Sequence, residues 1–239
     1  MKTKILSTIA VVFLLSLVTS CILGPTVTGN GNVTREERET GSFNKIRVTR
    51  GLNVYLSQGD RQKIIIEADE NLLEYIETEV DDNKLNITTS AFVRGSKSMK
   101  VFVTLTDLSE IHATAGSNVY SENELSVGDI DISGSAGSNL KLQIKAEAID
   151  VSASSGSNIT LIGTADESEL KASAGSNIKA EELNTNECEA KTSSGANIWI
   201  NVLNDFEAHA SSGGNIFYKG NPKNTNIEKS SGGNVIRQN

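Results

Sequence analysis

The sequence predicts an all-β chain wound as a parallel β-helix, a solenoid, and three observations carry that prediction. A phrase of Gly-x-Asn followed by an aliphatic residue returns seven times: Gly116-Ser117-Asn118-Val119, Gly137-Ser138-Asn139-Leu140, Gly156-Ser157-Asn158-Ile159, Gly175-Ser176-Asn177-Ile178, Gly195-Ala196-Asn197-Ile198, Gly213-Gly214-Asn215-Ile216 and Gly232-Gly233-Asn234-Val235. The asparagines stand 21, 19, 19, 20, 18 and 19 residues apart, the length of one coil and far short of a domain, as in solenoids whose units touch only their neighbours. Counted from each asparagine, small and apolar residues recur at odd offsets, the alternation of a strand with one buried face.

Taken in order, the chain begins with a segment outside the fold. Lys2 and Lys4 precede an apolar run from Ile5 to Val18, which reads as a signal peptide over 1–20 and is short for a membrane span. Val18-Thr19-Ser20-Cys21 follows, which resembles the bacterial lipobox. The resemblance implies acyl chains on Cys21 and a durable membrane anchor, since more than one chain is needed for stable attachment. Residues 21–41, with Pro25, four glycines and the charged run Arg35-Glu36-Glu37-Arg38-Glu39, show no apolar period and read as a tether.

Removing residues 1–20 takes two of the 22 basic residues and none of the 30 acidic ones, so the mature chain carries a net charge of −10. That balance excludes nucleic acid as a partner. Cys188 is then the only cysteine besides Cys21, so packing and strand ladders must stabilise the chain without an internal disulfide.

Residues 42–106 read as a β-rich cap continuous with the solenoid, a separate small domain being the other arrangement. Gly51-Leu52-Asn53-Val54 looks like a divergent copy of the phrase, and Leu85-Asn86-Ile87 echoes it again. Leu72, Leu73 and Ile76 have helical spacing within Glu70 to Glu77, and Asp81-Asp82-Asn83 reads as a turn. Residues 107–239 are the coils. The offsets −7, −5, −3 and +1 are small or apolar and are expected to point inward; the glycine at −2 demands a bend or positive φ, and the asparagine, tolerant of left-handed backbone, is expected to form an amide ladder. Lys229 in an inward column and Arg237 read as a polar end cap.

A lipoprotein-like signal, the start Phe43-x-x-Ile46-x-Val48, a Gly-x-Asn-Val-x-Leu phrase before Gln58-Gly59-Asp60, and the Gly-Ser-Asn coils together resemble the family called putative auto-transporter adhesin, head GIN domain. The resemblance spans Phe43 to Asn239 and implies a right-handed β-helix on envelope proteins, with no catalytic residues to carry over. It implies an outer-membrane lipoprotein on the periplasmic or cell-surface face.

Function is therefore sought on the outward columns. At −8 stand Glu110, Asp131, Asp150, Glu169, Glu189 and Glu207, neighbours about 5 Å apart across parallel strands. The file has two readings: a solvated stripe balanced by Lys171 and Lys191, or a weak cation ladder at Asp131, Asp150, Glu169 and Glu189 that takes Ca²⁺. At −4 stand Thr114, Ser135, Ser154, Ser173, Ser193, Ser211 and Ser230, either hydrogen-bonding groups for a polysaccharide or small filler on a tight face. At +2 stand Tyr120, Lys141, Thr160, Lys179, Trp199, Phe217 and Ile236, where Tyr120, Trp199 and Phe217 are candidate platforms for a sugar ring or a partner protein, unless another segment covers them.

No P-loop, His-Glu-x-x-His or nucleophile elbow occurs. His112 and His209 fall in one column five coils apart, roughly 24 Å, too far to share a proton or metal. The expectation is a non-catalytic envelope lipoprotein that holds a glycan or protein partner along its surface. A β-helical polysaccharide lyase or hydrolase using the acidic file, and a purely structural scaffold, are the alternatives.

Overall fold

The computed structural model describes residues 24–238. The signal peptide and Cys21 lie outside the described residues. Twenty strands form β1 (Thr26–Thr28), β2 (Val33–Arg38), β3 (Lys45–Val48), β4 (Asn53–Gln58), β5 (Lys63–Asp69), β6 (Ile76–Asp81), β7 (Lys84–Thr89), β8 (Phe92–Gly95) and β9 (Met99–Leu105) in the N-terminal part. The coils follow as β10 (Glu110–Ala113), β11 (Asn118–Ser121), β12 (Leu125–Ser126), β13 (Asp129–Gly134), β14 (Asn139–Ala153), β15 (Asn158–Ala172), β16 (Asn177–Thr192), β17 (Asn197–Ala210), β18 (Asn215–Gly220), β19 (Asn224–Lys229) and β20 (Asn234–Arg237).

Each coil from β14 to β17 is one curled strand closed by one tight turn, and the coils on either side are broken into β11 to β13 and into β18 and β19. The turn puts two successive residues at positive φ, Ala136 at 48° and Gly137 at 74° in one coil, and the same pair recurs from Arg50-Gly51 to Ser231-Gly232. The N–H at −1 donates to the carbonyl at −4, as from Ser138 to Ser135 at 3.2 Å, which is the pattern of a type I′ turn. The glycine amide is not idle either: Gly137 N–H donates to Ser155 of the next coil at 3.1 Å, so the ladder runs on through the turn.

Coils stack in register at the asparagines, with register shifts farther along β15–β16 and β16–β17. Asn53, Asn118, Asn139, Asn158, Asn177, Asn197, Asn215 and Asn234 lie in one file, and every side-chain amide after the first donates to the one before, at 2.9 to 3.1 Å. The phrase at Asn53 is thus a true coil. The asparagines are absent from the positive-φ residues; they open each strand in extended backbone, and the left-handed positions belong to −3 and −2. That corrects the inward assignment of −3: Ala115, Ala136 and Ser155 sit at the apex of a reversing chain and are exposed. The inward position near the turn is −1, where Ser117, Ser138, Ser157 and Ser176 are wholly buried. Ser157 and Ser176 hydroxyls each donate at 2.8 Å to a carbonyl of the preceding coil, Gly134 and Ala153.

The core is a continuous stack of the −7 and +1 residues, with Ile111, Ile132, Val151 and Leu170 facing Val119, Leu140, Ile159 and Ile178, all at most 2% exposed. The stack opens at its C-terminal end, where Ile227, Lys229 and Ile236 are exposed.

The cap is continuous with the coils through one 18-stranded sheet. β4 pairs in parallel with β11 and β9, and β3 with β10 and β7, while β5 runs antiparallel between β9 and β2. Three expectations are corrected here. The stretch read as tether carries β1 and β2, which pair with β8 and β5; its charges alternate outward along β2, and Arg35 reaches Glu67 at 2.7 Å, so a charged edge strand mimics a linker. Asn86 pairs with Arg47, six residues before the file position Asn53, and is no copy of the phrase. The helical stretch is a 3-10 helix over Glu70–Tyr75 that buries Leu72, after which Ile76 opens β6. Asp82 and Asn83, both left-handed, make the expected turn between β6 and β7.

Candidate functional site

The outward face of β10, β13 and the C-terminal arms of β14 to β17, with β19, gathers two of the expected files, the carboxylates at −8 and the hydroxyls at −4, on either side of a file at −6. Glu110, Asp131, Asp150, Glu169, Glu189 and Glu207 are partners in unbroken succession. Two residues along each strand, Lys171, Lys191 and His209 form the neighbouring file. Lys171 reaches Glu169 at 2.8 Å and Asp150 at 3.7 Å; Lys191 reaches Glu189 at 2.5 Å and Glu169 at 3.4 Å.

The ion pairs divide the carboxylates. Glu169, hydrogen-bonded by Lys171 and Lys191, is held below the usual carboxylate range against the opposing pull of partial burial. Asp150 is pushed up, first by burial and then by its neighbours Glu169 and Asp131, which together outweigh Lys171. The hydrogen bonds to Glu169 and Glu189 raise Lys171 and Lys191 in turn. Ammonium groups thus occupy the spaces that Ca²⁺ ions over Asp150 and Glu169 would need.

A second acidic file was missed. At offset −10, Glu167, Glu187 and Asp205 are consecutive partners, with Ala148 between them and Asp129; the file is visible in the asparagine alignment two positions beyond the first. Glu167, Glu187 and Asp205 have no ion-pair partner among the described residues. Between the two files runs a groove of about 630 Å³, floored by Ser168, Cys188 and Phe206. Cys188 is buried, and desolvation pushes its thiol up to about 12.

On the other flank lie the hydroxyls. Ser135 donates to Thr114 Oγ1 at 2.9 Å, while Ser154, Ser173, Ser193 and Ser211 are half-buried and border a second groove of about 450 Å³ together with Lys171, Lys191 and His209. Sequence reasoning found the hydroxyl and carboxylate files, which the file of Lys171, Lys191 and His209 separates.

The aromatic file lies across the turn, on the other arm of each coil. Trp199 and Phe217 stack with centroids 5.3 Å apart and planes 13° from parallel, and Ile236 continues the file, half exposed. Tyr120 is four coils away, roughly 19 Å, and stacks instead on Tyr55, which stacks on Phe102. Both stacks run along the solenoid axis. Ring faces therefore meet one another and ring edges face outward, whereas a sugar ring needs a bare face to lie on. His112 is separate from His209, as expected, and burial with the nearby Arg47 lowers its imidazole.

The family model described as putative auto-transporter adhesin, head GIN domain, matches residues 42–222. The chain belongs to that family. Among solved structures it is similar to a putative adhesin from Bacteroides fragilis, at 25% identity and a TM-score of 0.81 over 88% of this chain and 99% of that one. A putative adhesin from Parabacteroides distasonis shares the fold at 22% identity and a TM-score of 0.74, covering 89% of this chain and 100% of its own. A putative lipid binding protein from the same organism does so at 20% and 0.72, covering 90% and 100%. A search of curated proteins returns no match. As a member of the GIN-domain family, the chain places all of its charged face but β19 on residues that the family model covers.

Proposed function

We infer that this chain is a non-catalytic adhesin of the bacterial envelope, tethered to the outer membrane by acyl chains on Cys21, that holds a protein or glycan partner against the flat charged face of its coils. One observation carries the reading: a groove that crosses five coils has carboxylates on both sides, and on its outer side Glu167, Glu187 and Asp205 stand on three successive coils with no ion-pair partner among the described residues. Unpaired like charges about 5 Å apart repel one another, so a partner presenting cations lowers the energy of the face.

The lyase or hydrolase alternative is less well supported, since Lys171 and Lys191 occupy the carboxylates that acid-base chemistry would use. The test is adherence of cells bearing the full chain to immobilised glycans and basic proteins. Changing Glu167, Glu187 and Asp205 together to lysine should abolish adherence, and raising the salt should weaken it in the parent. Adherence untouched by both changes would sink the reading, as would release of sugar ends from a glycan that is lost with Asp150→Asn.

A further inference from the structure

The lysine file changes chemistry at a single coil. Lys171 and Lys191 are followed by His209, which exchanges an ammonium that can only donate for an imidazole whose nitrogen can bind a metal. Three carboxylates surround that ring. Nε2 lies 2.8 Å from Glu207 Oε1 and 4.0 Å from Glu189 Oε1, and Nδ1 lies 3.1 Å from Glu228 Oε2. The ligand atoms of Glu189, Glu207 and His209 all fall within 4.8 Å of one another. We propose that Glu189, Glu207 and the Nε2 atom of His209 form a binding site for a late first-row divalent cation of the Zn²⁺ class, with water completing its coordination.

Two further details of the geometry fit a metal rather than a chance cluster. Glu228 accepts a hydrogen bond from the ring nitrogen opposite to the one that would bind, which is how metal-ligating histidines are oriented by an outer carboxylate. Lys191 is placed to yield: it already spans Glu189 and Glu169, so when a cation takes Glu189 the ammonium keeps Glu169. The cation replaces the proton on Nε2, which passes to solvent, and Nδ1–H continues to donate to Glu228. A nitrogen ligand selects Zn²⁺, Cu²⁺ or Ni²⁺ over Ca²⁺, which prefers oxygen alone. Glu110, Asp150 and Glu169 are engaged by lysines, and within the file only Glu189 and Glu207 stand beside an imidazole.

The test is calorimetric titration of the full chain with ZnCl₂ and, separately, CaCl₂. One equivalent of Zn²⁺ should bind with a heat that Ca²⁺ does not reproduce. His209→Lys restores the residue of the two preceding coils, so the fold is retained, and it should weaken binding by about 100-fold or more because the nitrogen lone pair is gone. Glu228→Gln should weaken it by about 10–100-fold, the usual consequence of losing an outer partner. In NMR spectra of the parent, Zn²⁺ should shift the imidazole signals of His209 and leave those of His112 in place. Undiminished Zn²⁺ uptake by His209→Lys, equal response to Ca²⁺, or no stoichiometric uptake by the parent would each overturn the assignment.

Discussion

Asn158 sits inside the amide ladder, donating to Asn139 at 3.1 Å and accepting from Asn177 at 2.9 Å. Asn158→Ala removes both bonds and strands an acceptor on one side and a donor on the other, in a file that is only half-buried. With about 0.5–1.5 kcal/mol net per hydrogen bond, the loss should be about 1–3 kcal/mol. Asn234, at the end of the file, makes one such bond, at 3.0 Å, and is exposed, so Asn234→Ala should cost about half as much or less. Equilibrium unfolding in guanidinium, followed by circular dichroism, reads both values. The sharper measurement is a double-mutant cycle: Asn158→Ala with Asn177→Ala should show a coupling energy near that of one bond, while Asn118→Ala with Asn215→Ala should be additive. Equal costs at Asn158 and Asn234, or no coupling between rungs in contact, would refute the idea that the amides act as a chain.

Glycine substitutions should separate two causes of cost. At Gly137, φ is 74° and an added Cβ meets nothing within 4 Å, so Gly137→Ala should cost only the left-handed penalty, about 1–2 kcal/mol. At Gly163, φ is 127° and the same atom would lie 2.0 Å from the Ile144 carbonyl oxygen, so Gly163→Ala should cost more and lower the melting temperature further. Asp69 is fully buried; burial raises its pKa, but hydrogen bonds from the N–H groups of Gly31, Ser98 and Lys97 outweigh that and hold it below the usual carboxylate value. Because the folded value is the lower one, its stabilisation is complete above the ordinary pKa of 3.8 and is lost as pH falls through the folded value. Acid titration should accordingly show a loss of stability beginning below about pH 4 that is absent in Asp69→Asn. Cys188, with its thiol raised to about 12 and buried, should resist Ellman's reagent in the native chain and react at once after unfolding.

Most of the solenoid could be read from the sequence because a coil repeats its errors as faithfully as its rules: once seven asparagines were aligned, every other column followed. What failed was reasoning that assumed extended backbone through the turn. Alternation put Ala136 inside, but a residue at the apex of a type I′ reversal faces outward whatever its parity. The cap was harder because its strands carry no repeat. Arg35 to Glu39 has the composition of a linker, and only the partner strand β5 reveals that those charges line an edge. In the functional face, the carboxylate and hydroxyl files were legible as columns. The orientation of Trp199 on Phe217 was not, since stacking angles depend on rotamers that spacing does not record. The His209 constellation needed Glu228 from the next coil and Glu189 from the one before, neighbours in space that stand about a coil apart in the chain.

The identity of equivalent positions also makes the molecule's length adjustable. Excising residues 158–176 joins Ser157 to Asn177 and brings Asn139 against Asn177, Val151 against Ala190 and Asp150 against Glu189, each a like-for-like exchange within its column. Such a chain would be shorter by one strand spacing, about 4.8 Å, with its ends unchanged. Reach and footprint can then be tuned in whole steps by gene duplication or loss, each new contact joining residues of one column.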